Sequence, residues 1–340
     1  ALALVGISLA TATAGTTDLT GIRRAMEETL ELQGNTALVG LLFMVAGFGV
    51  KAAMVPLHTW LPDAHSAAPS GISAMLSGIV IQAGLVTMLK SSVPFLWDSS
   101  TATVPSVPLG LTLAVMAVVT MSAGNLMALR QKDLKRMLAY SSIAQMGYIM
   151  MGVGLYLYMP AVAQIGMWGG MLHIITHAFM KGGAFLCAGA VIYAIGTRDL
   201  HEMRGIGRKH PFIGIAFTLF AFSLAGLPPL SGFVSELLLV RSGIDIAVSG
   251  EGIGRLALVF SAALVINNVI SLGYYIPAIN KIMFSRGDGP NVAKAREIPA
   301  SMKVAIAVMA ALTLLLGLYP DLGLWLVEPA VEYFEAFLEV

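Results

Sequence analysis

Apolar residues run along this chain in long blocks, and polar residues gather in the short stretches between them. Nine blocks are readable, at about 1–15, 36–57, 71–89, 109–129, 138–158, 164–195, 212–240, 256–280 and 301–319. Most reach the ~18 residues that mark a helix able to cross a bilayer. The pattern predicts an all-α polytopic membrane protein with about nine transmembrane helices. After the last block, "DLGLWLVEPAVEYFEAFLEV" spaces Glu328, Glu332, Glu335 and Glu339 as a helix would. That segment predicts a helix lying on the outer membrane surface.

Two blocks carry prolines where a spanning helix should not. "KAAMVPLHTWLPDAH" holds Pro56 and Pro62, and "LAGLPPLSGFVSELLL" holds Pro228 and Pro229. A proline removes an N–H and clashes with the preceding turn, so both blocks are expected to be broken helices. Interrupted helices at corresponding places in two halves mark transporters built from inverted repeats, with the freed backbone groups lining a polar cavity.

Composition agrees with the membrane reading. Of 340 residues, 57% are hydrophobic and 11% charged, about half the charge that a soluble surface of this size carries. A net charge of +1 gives no hint of nucleic acid, and no nucleic-acid motif is present. The one cysteine, Cys187, cannot form an internal disulfide, and iron–sulfur clusters usually need four thiolates. No strand is followed by GxGxxG and no GxxxxGK[ST] occurs, so redox or nucleotide chemistry is expected on other chains. Neither cofactor nor metal is expected here. The apolar run at residue 1, without an initiator Met, reads as a helix cut at its beginning, in a fragment, split subunit or processed product.

The loops alternate sides, and their cations differ. "LRQKDLKRM", "TRDLHEMRGIGRKH" and "KIMFSRGDGPNVAKARE" hold twelve Lys and Arg; "TTDLTGIRRAMEETLELQG", "KSSVPFLWDSSTATVPSVP" and "RSGIDIAVSGEGIGR" hold five. The positive-inside bias puts the first set on the cytoplasmic face of the cell membrane.

A few ionisable groups fall inside the apolar blocks: Lys51, His173, His177, Lys181 and Glu236, with Gln82 and Gln145 as polar companions. A Lys or an acid near the bilayer centre costs at least ~2.5–3.5 kcal/mol. Lys51 lies five residues before Pro56, well inside its block, so snorkelling to an interface explains it poorly. A lone histidine is more often a satisfied core residue, but His173, His177 and Lys181 stand at i, i+4 and i+8. On a helix that spacing rises about 12 Å and drifts about 80°, so the three line one face. Histidine titrates near neutrality and a buried Lys can be drawn towards it, a composition suited to relaying protons along the membrane plane. Unit charges ~7 Å apart at an effective dielectric of ~20 couple by about 2.4 kcal/mol, enough for one proton's arrival to expel another. Glu236 follows the Pro228–Pro229 break by seven residues and is placed to connect such a relay to water; capping or pairing is its ordinary alternative.

The stretches "GFGVKAAMVPLHTWLPDAHSAAPSGISAMLSGIV", "LRQKDLKRMLAYSSIAQMGYIMMGVG", "HIITHAFMKGGAFL" and "AGLPPLSGFVSE" together resemble the antiporter-like subunits of respiratory complex I. The same family includes Mrp cation/proton antiporters and membrane arms of energy-converting hydrogenases, and "PLHTWLPDAHSAAPSGISAMLSG" is most similar to the hydrogenase branch. The resemblance implies a bundle of about fourteen helices with two inverted five-helix repeats, each holding a broken helix. It implies that 1–95 is the remainder of the first repeat, 96–285 the second, and 286–340 a final helix with a surface segment. It matches Lys51 to the lysine of the first broken helix, and His173, His177 and Lys181 to the central positions. Glu236 matches the terminal position of the second broken helix, Lys in some members and Glu in others. Members carrying a lysine or histidine in the "GIVIQAG" region are matched here by Gln82 and Ser77, neither of which holds a proton at neutral pH. A link from Lys51 to Lys181 would then rest on water or another residue. By this resemblance, the family's first five helices, which supply an acid to the Lys51 position, are expected to lie outside this chain.

The implied function is a proton- or cation-translocating membrane subunit of a redox-driven, complex I-like or hydrogenase-like assembly, itself without redox groups. Its expected partners are further membrane subunits, including one that supplies the missing helices or an acid for Lys51, and peripheral iron–sulfur subunits. Two alternatives stay open: an Mrp-type Na⁺/H⁺ antiporter module without redox partner, and a scaffold of the same fold that has lost transport.

Overall fold

The computed structural model describes residues 1–95, 106–250, 252, 254–285 and 289–339. The expected boundaries at 96 and 286 lie outside the described residues, as do the side chains of Glu27, Glu28, Glu31 and Glu339. The described residues form α1 (Leu2–Ala14), α2 (Leu19–Lys51), α3 (Trp60–Ala67), α4 (Ser70–Met75), α5 (Ile81–Ser92), α6 (Ser106–Leu129) and α7 (Leu134–Tyr158). There follow α8 (Pro160–Ile195), α9 (Ile206–Lys209), α10 (Pro211–Leu224), α11 (Ser231–Ser249), α12 (Gly254–Ile279), α13 (Ala300–Leu318) and α14 (Pro320–Glu339). Among them there is no strand beyond the isolated bridge Asp133–Asp199.

Among the described residues, five helical stretches are long and apolar enough to cross a membrane: Ser70–Phe95, Leu109–Leu129, Pro160–Ile195, Gly254–Phe284 and Ala300–Leu318. A sixth is reached if Leu2–Ala14 and Leu19–Ala25, bent by 56°, count as one span. The nine expected spans are thus not all met by length and composition, for physical reasons. The 36–57 block is helical only to Lys51, and the 212–240 block is two helices, α10 and α11. The 138–158 block lies in α7, whose Tyr, Ser and Gln residues lower its hydropathy, yet almost every α7 residue is buried. A helix hidden all round sits at the centre of its bundle.

The helix ends follow local chemistry. Asp18 and Asp133 cap α2 and α7, accepting from Gly21 N at 2.8 Å and Arg136 N at 3.0 Å, which satisfies free first-turn donors. Between α6 and α7 side chains are dispensed with: a Cβ on Gly124 would lie 2.5 Å from Ala144 N, and one on Gly147 2.6 Å from Met121 N. Small residues bring membrane helices into backbone contact in this way. The long α8 runs through the middle, against α7, α10, α11, α13 and α4. The amphipathic α14 lies across its start, where Gln164 Nε2 donates to Glu335 Oε1 at 2.8 Å.

Both proline-bearing blocks are interrupted. The first interruption spans 52–59 and contains Pro56; buried Ala53 turns the chain there with φ 55. Pro62, expected to break the helix as well, instead lies in the first turn of α3, where its missing N–H is not needed. The second interruption, 225–230, contains Pro228 and Pro229 and turns at Gly226, φ 68. Each break leaves carbonyls without helical partners, and side chains reach them: Trp60 Nε1 donates to Val50 O at 2.7 Å, and Gln145 Nε2 to Leu224 O at 3.0 Å.

Candidate proton-relay site

The i, i+4, i+8 stripe lies on α8, and His173, His177 and Lys181 are each fully buried. The two imidazoles stack with centroids 6.1 Å apart and planes inclined by 20°. Pairing differs along the stripe. His173 is held on both ring nitrogens, Nε2 by Gln145 Oε1 at 2.6 Å and Nδ1 by Ser235 Oγ at 2.8 Å. An amide oxygen only accepts, so Nε2 carries hydrogen whatever the ring's charge.

Ser235 can serve either charge state of the His173 ring. Its hydroxyl can donate to His173 Nδ1 or to Gly232 O, 3.0 Å away. A neutral ring accepts at Nδ1 from the hydroxyl. A charged ring donates from Nδ1 to Oγ while the hydroxyl turns to Gly232. Gaining or losing the proton therefore needs one hydroxyl rotation and no backbone movement.

His177 is different. Gln82 Nε2 meets its Nδ1 at 2.6 Å, and its Nε2 is buried without a partner. A buried ring nitrogen left open between His173 and Lys181 is a natural point of transfer. The Lys181 amine donates to Ser141 Oγ and, at 3.2 Å, to Tyr275 OH. It thus sits among hydroxyls, with no carboxylate hydrogen-bonded to it, a setting that accommodates a neutral amine as well as an ammonium.

Glu236 begins the second turn of α11, next to Ser235, and is 3% exposed. Its Oε2 accepts from Asn268 Nδ2 at 2.7 Å, and its Oε1 has no hydrogen-bond partner. Gly226 makes room for it, since a Cβ there would lie 1.9 Å from Oε2. The carboxyl lines a cavity of about 300 Å³ with Ala225, Leu227, Phe233 and Asn268, at the break between α10 and α11. The unpartnered oxygen is itself buried.

The structure joins Gln82, Gln145, His173, His177, Lys181 and, through Ser235, the neighbourhood of Glu236. Ser77 is drawn in less directly, pairing with Ser142 Oγ at 2.6 Å, one residue from the Lys181 partner Ser141. Lys51 is not joined. It ends α2 and is exposed in this chain, and α5 packs beside it, with Gly84 against the Lys51–Ala52 backbone. Ser141, Ser235, Asn268 and Tyr275 escaped the sequence reading because ordinary polar residues mark a site only once folding brings them to it; the Ser141–Tyr275 pair is 134 residues apart. No group of three or more His, Cys, Asp or Glu suited to a metal ion occurs among the described residues.

Residues 1–264 match the family model described as "NADH:quinone oxidoreductase/Mrp antiporter, TM". The chain is 34% identical over 330 residues to F(420)H(2) dehydrogenase subunit N of Methanosarcina mazei, covering 94% of this chain and 62% of that protein. It is 32% identical over 320 residues to hydrogenase-4 component B of Escherichia coli (strain K12), covering 91% of this chain and 46% of the relative. A chain of the membrane-bound sulfane sulfur reductase, an archaeal respiratory membrane complex, is similar at TM-score 0.81 and 28% identity, covering 99% of this chain and 65% of its own length. The chain thus spans less than two thirds of the length of each.

Proposed function

Because the chain belongs to the NADH:quinone oxidoreductase/Mrp antiporter family of membrane proteins, we propose that it is a proton- or cation-translocating subunit of a redox-driven membrane complex. The observation that carries this reading is the buried polar set around α8, in which Gln82 meets His177, Gln145 and Ser235 hold His173, Ser141 and Tyr275 hold Lys181, and Glu236 keeps an unpartnered carboxyl oxygen. Lone charges in a membrane bundle are costly; ionisable groups gathered along one helix with unpartnered atoms have a use that offsets the cost. The chain itself holds no redox group in this reading. Oxidation and reduction happen on peripheral iron–sulfur subunits, and conformational or electrostatic change reaches this subunit through its neighbours. The relatives named for a dehydrogenase and a hydrogenase support a redox partner over an Mrp-type antiporter module.

The loops rich in Lys and Arg face the cytoplasm, and α14 lies at the other face. The two interrupted helices are equivalent members of two inverted repeats, the second repeat occupying about 96–285. Lys51 belongs to the relay's first half. An ammonium at that depth needs an opposite charge, and a neighbouring polypeptide packs against Thr36–Lys51 and brings a carboxylate to about 4–7 Å from its amine.

Purification of the native complex tests the reading. Iron–sulfur subunits at fixed stoichiometry with this chain are expected. Antiporter-like subunits alone would replace the redox-driven reading with the Mrp-type one, and a neighbour without an acid at the depth of Lys51 would remove that residue from the relay.

A further inference from the structure

We propose that His65 is the residue through which protons enter from the basic-loop side on their way to Lys181, an inference that rests on the relay reading above. His65 lies near the end of α3, outside the stripe. It is fully buried, and neither Nδ1 nor Nε2 has a hydrogen-bond partner. Its ring stacks on Phe185 with centroids 4.6 Å apart and planes inclined by 12°. Phe185 stands one helical turn beyond Lys181 on α8, which places the imidazole over that end of the stripe.

A packing role does not account for these features. An imidazole kept for its shape normally anchors at least one nitrogen, and each buried polar atom left open costs about 1–3 kcal/mol. Phenylalanine would stack on Phe185 without that cost. The residue is held through its backbone, whose carbonyl accepts from Ser73 Oγ at 3.2 Å. Both ring nitrogens are left for something that comes and goes.

The surroundings lead outward from the ring. Lys135 and Lys181 both lie near enough to act on the ring's charge. Lys135, 3% exposed, donates to Ala68 O at the end of α3, and Arg198 donates to Ser66 O beside it. Around them stand Arg136 paired with Asp63 at 3.3 Å and Arg198 paired with Asp133 at 3.2 Å. These arginine side chains are 42% and 45% exposed, so the outer ring is wet. The order from solvent inward is the Arg136–Asp63 and Arg198–Asp133 pairs, then Lys135, then His65, then Lys181.

The transfer conserves its proton. Water on the basic-loop side delivers H⁺ to one ring nitrogen, giving an imidazolium. The other nitrogen releases H⁺ inward, across water, to a neutral Lys181 amine, which becomes the ammonium. The ring is left as the opposite neutral tautomer and returns by rotation or exchange. The cations around it keep the imidazolium short-lived, as a carrier requires.

The test uses the assembled complex in membrane vesicles, with ion pumping measured per catalytic turnover. His65→Ala removes the carrier, and His65→Phe keeps the stacked ring while removing both nitrogens. Pumping is expected to fall at least about tenfold in both, a conservative bound for loss of a positioned proton carrier. Added imidazole is expected to restore it in His65→Ala, which has space for the ring, and not in His65→Phe. Wild-type pumping in assembled His65→Phe, or no rescue of assembled His65→Ala, overturns the proposal. Lys181→Ala separates the two levels. If it abolishes pumping while His65→Phe pumps normally, only the inlet falls; if it too pumps normally, the relay reading falls with it.

Discussion

Removing one hydroxyl, Ser235→Ala, tests whether His173 changes its charge during turnover. In the neutral state the ring receives one hydrogen bond from Ser235, and in the charged state it gives one to the same oxygen, 2.8 Å away. Losing a neutral bond costs about 0.5–1.5 kcal/mol and a charge-assisted one about 1.5–3 kcal/mol. The difference, about 1–1.5 kcal/mol, falls on the protonated ring and lowers its population about tenfold. Nothing else at Nδ1 compensates, because Gln145 occupies Nε2 at 2.6 Å. If protonated His173 is an obligatory intermediate, pumping per turnover in inverted vesicles slows up to about tenfold while the complex remains assembled. Ala also fits the space that Ser leaves, so loss of assembly is not expected. Unchanged pumping in an assembled Ser235→Ala complex would mean that His173 never takes the proton and serves α8 only as a hydrogen-bonded core residue.

Other substitutions address the end of the relay and the frame that holds it. Glu236→Gln keeps the shape and the Asn268 contact while removing the titrating oxygen, so pumping should fall at least about tenfold with assembly intact; loss of assembly instead would make Glu236 a structural partner. Gly147→Leu pushes a side chain into Met121 N and Ala117 O, 2.6 and 2.7 Å from the new Cβ, both backbone atoms of α6. That should destabilise the α6–α7 pair by about 3 kcal/mol, at the upper end for overpacking, seen as a lowered melting temperature in detergent; an unchanged melting temperature would show that α6 and α7 are not rigidly apposed.

The sequence exposes this molecule unevenly. Apolar runs disclose helices because length and greasiness are local properties, and the Pro228–Pro229 pair marks its break because proline acts on its own turn. Pro62 misleads for the same local reason, since the effect of a proline depends on its place in the helix, and the first turn tolerates it. Periodicity aligns His173, His177 and Lys181, all on one helix. What they touch is another matter: Ser235, Tyr275, Gln82 and Gln145 come from four other helices, and no spacing rule connects residues that far apart. His65 is hidden differently. It stands in plain view within the "PLHTWLPDAH" motif, but its two open nitrogens are a property of the packed interior. Lys51, well inside an apolar block by sequence, ends its helix and is exposed in this chain.

The central claim is that the buried stripe on α8 carries protons, and Lys181 is where it is most directly tested. Its fully buried amine is hydrogen-bonded to Ser141 and Tyr275, so Lys181→Ala removes the carrier and leaves those hydroxyls to each other. Pumping and turnover are to be measured together on the assembled complex in sealed vesicles. Pumping is expected to be lost in Lys181→Ala and poorly rescued by Lys181→Arg, because arginine keeps its proton. Normal pumping per turnover in the assembled Lys181→Ala complex would contradict the relay and leave the stripe a structural feature of the bundle.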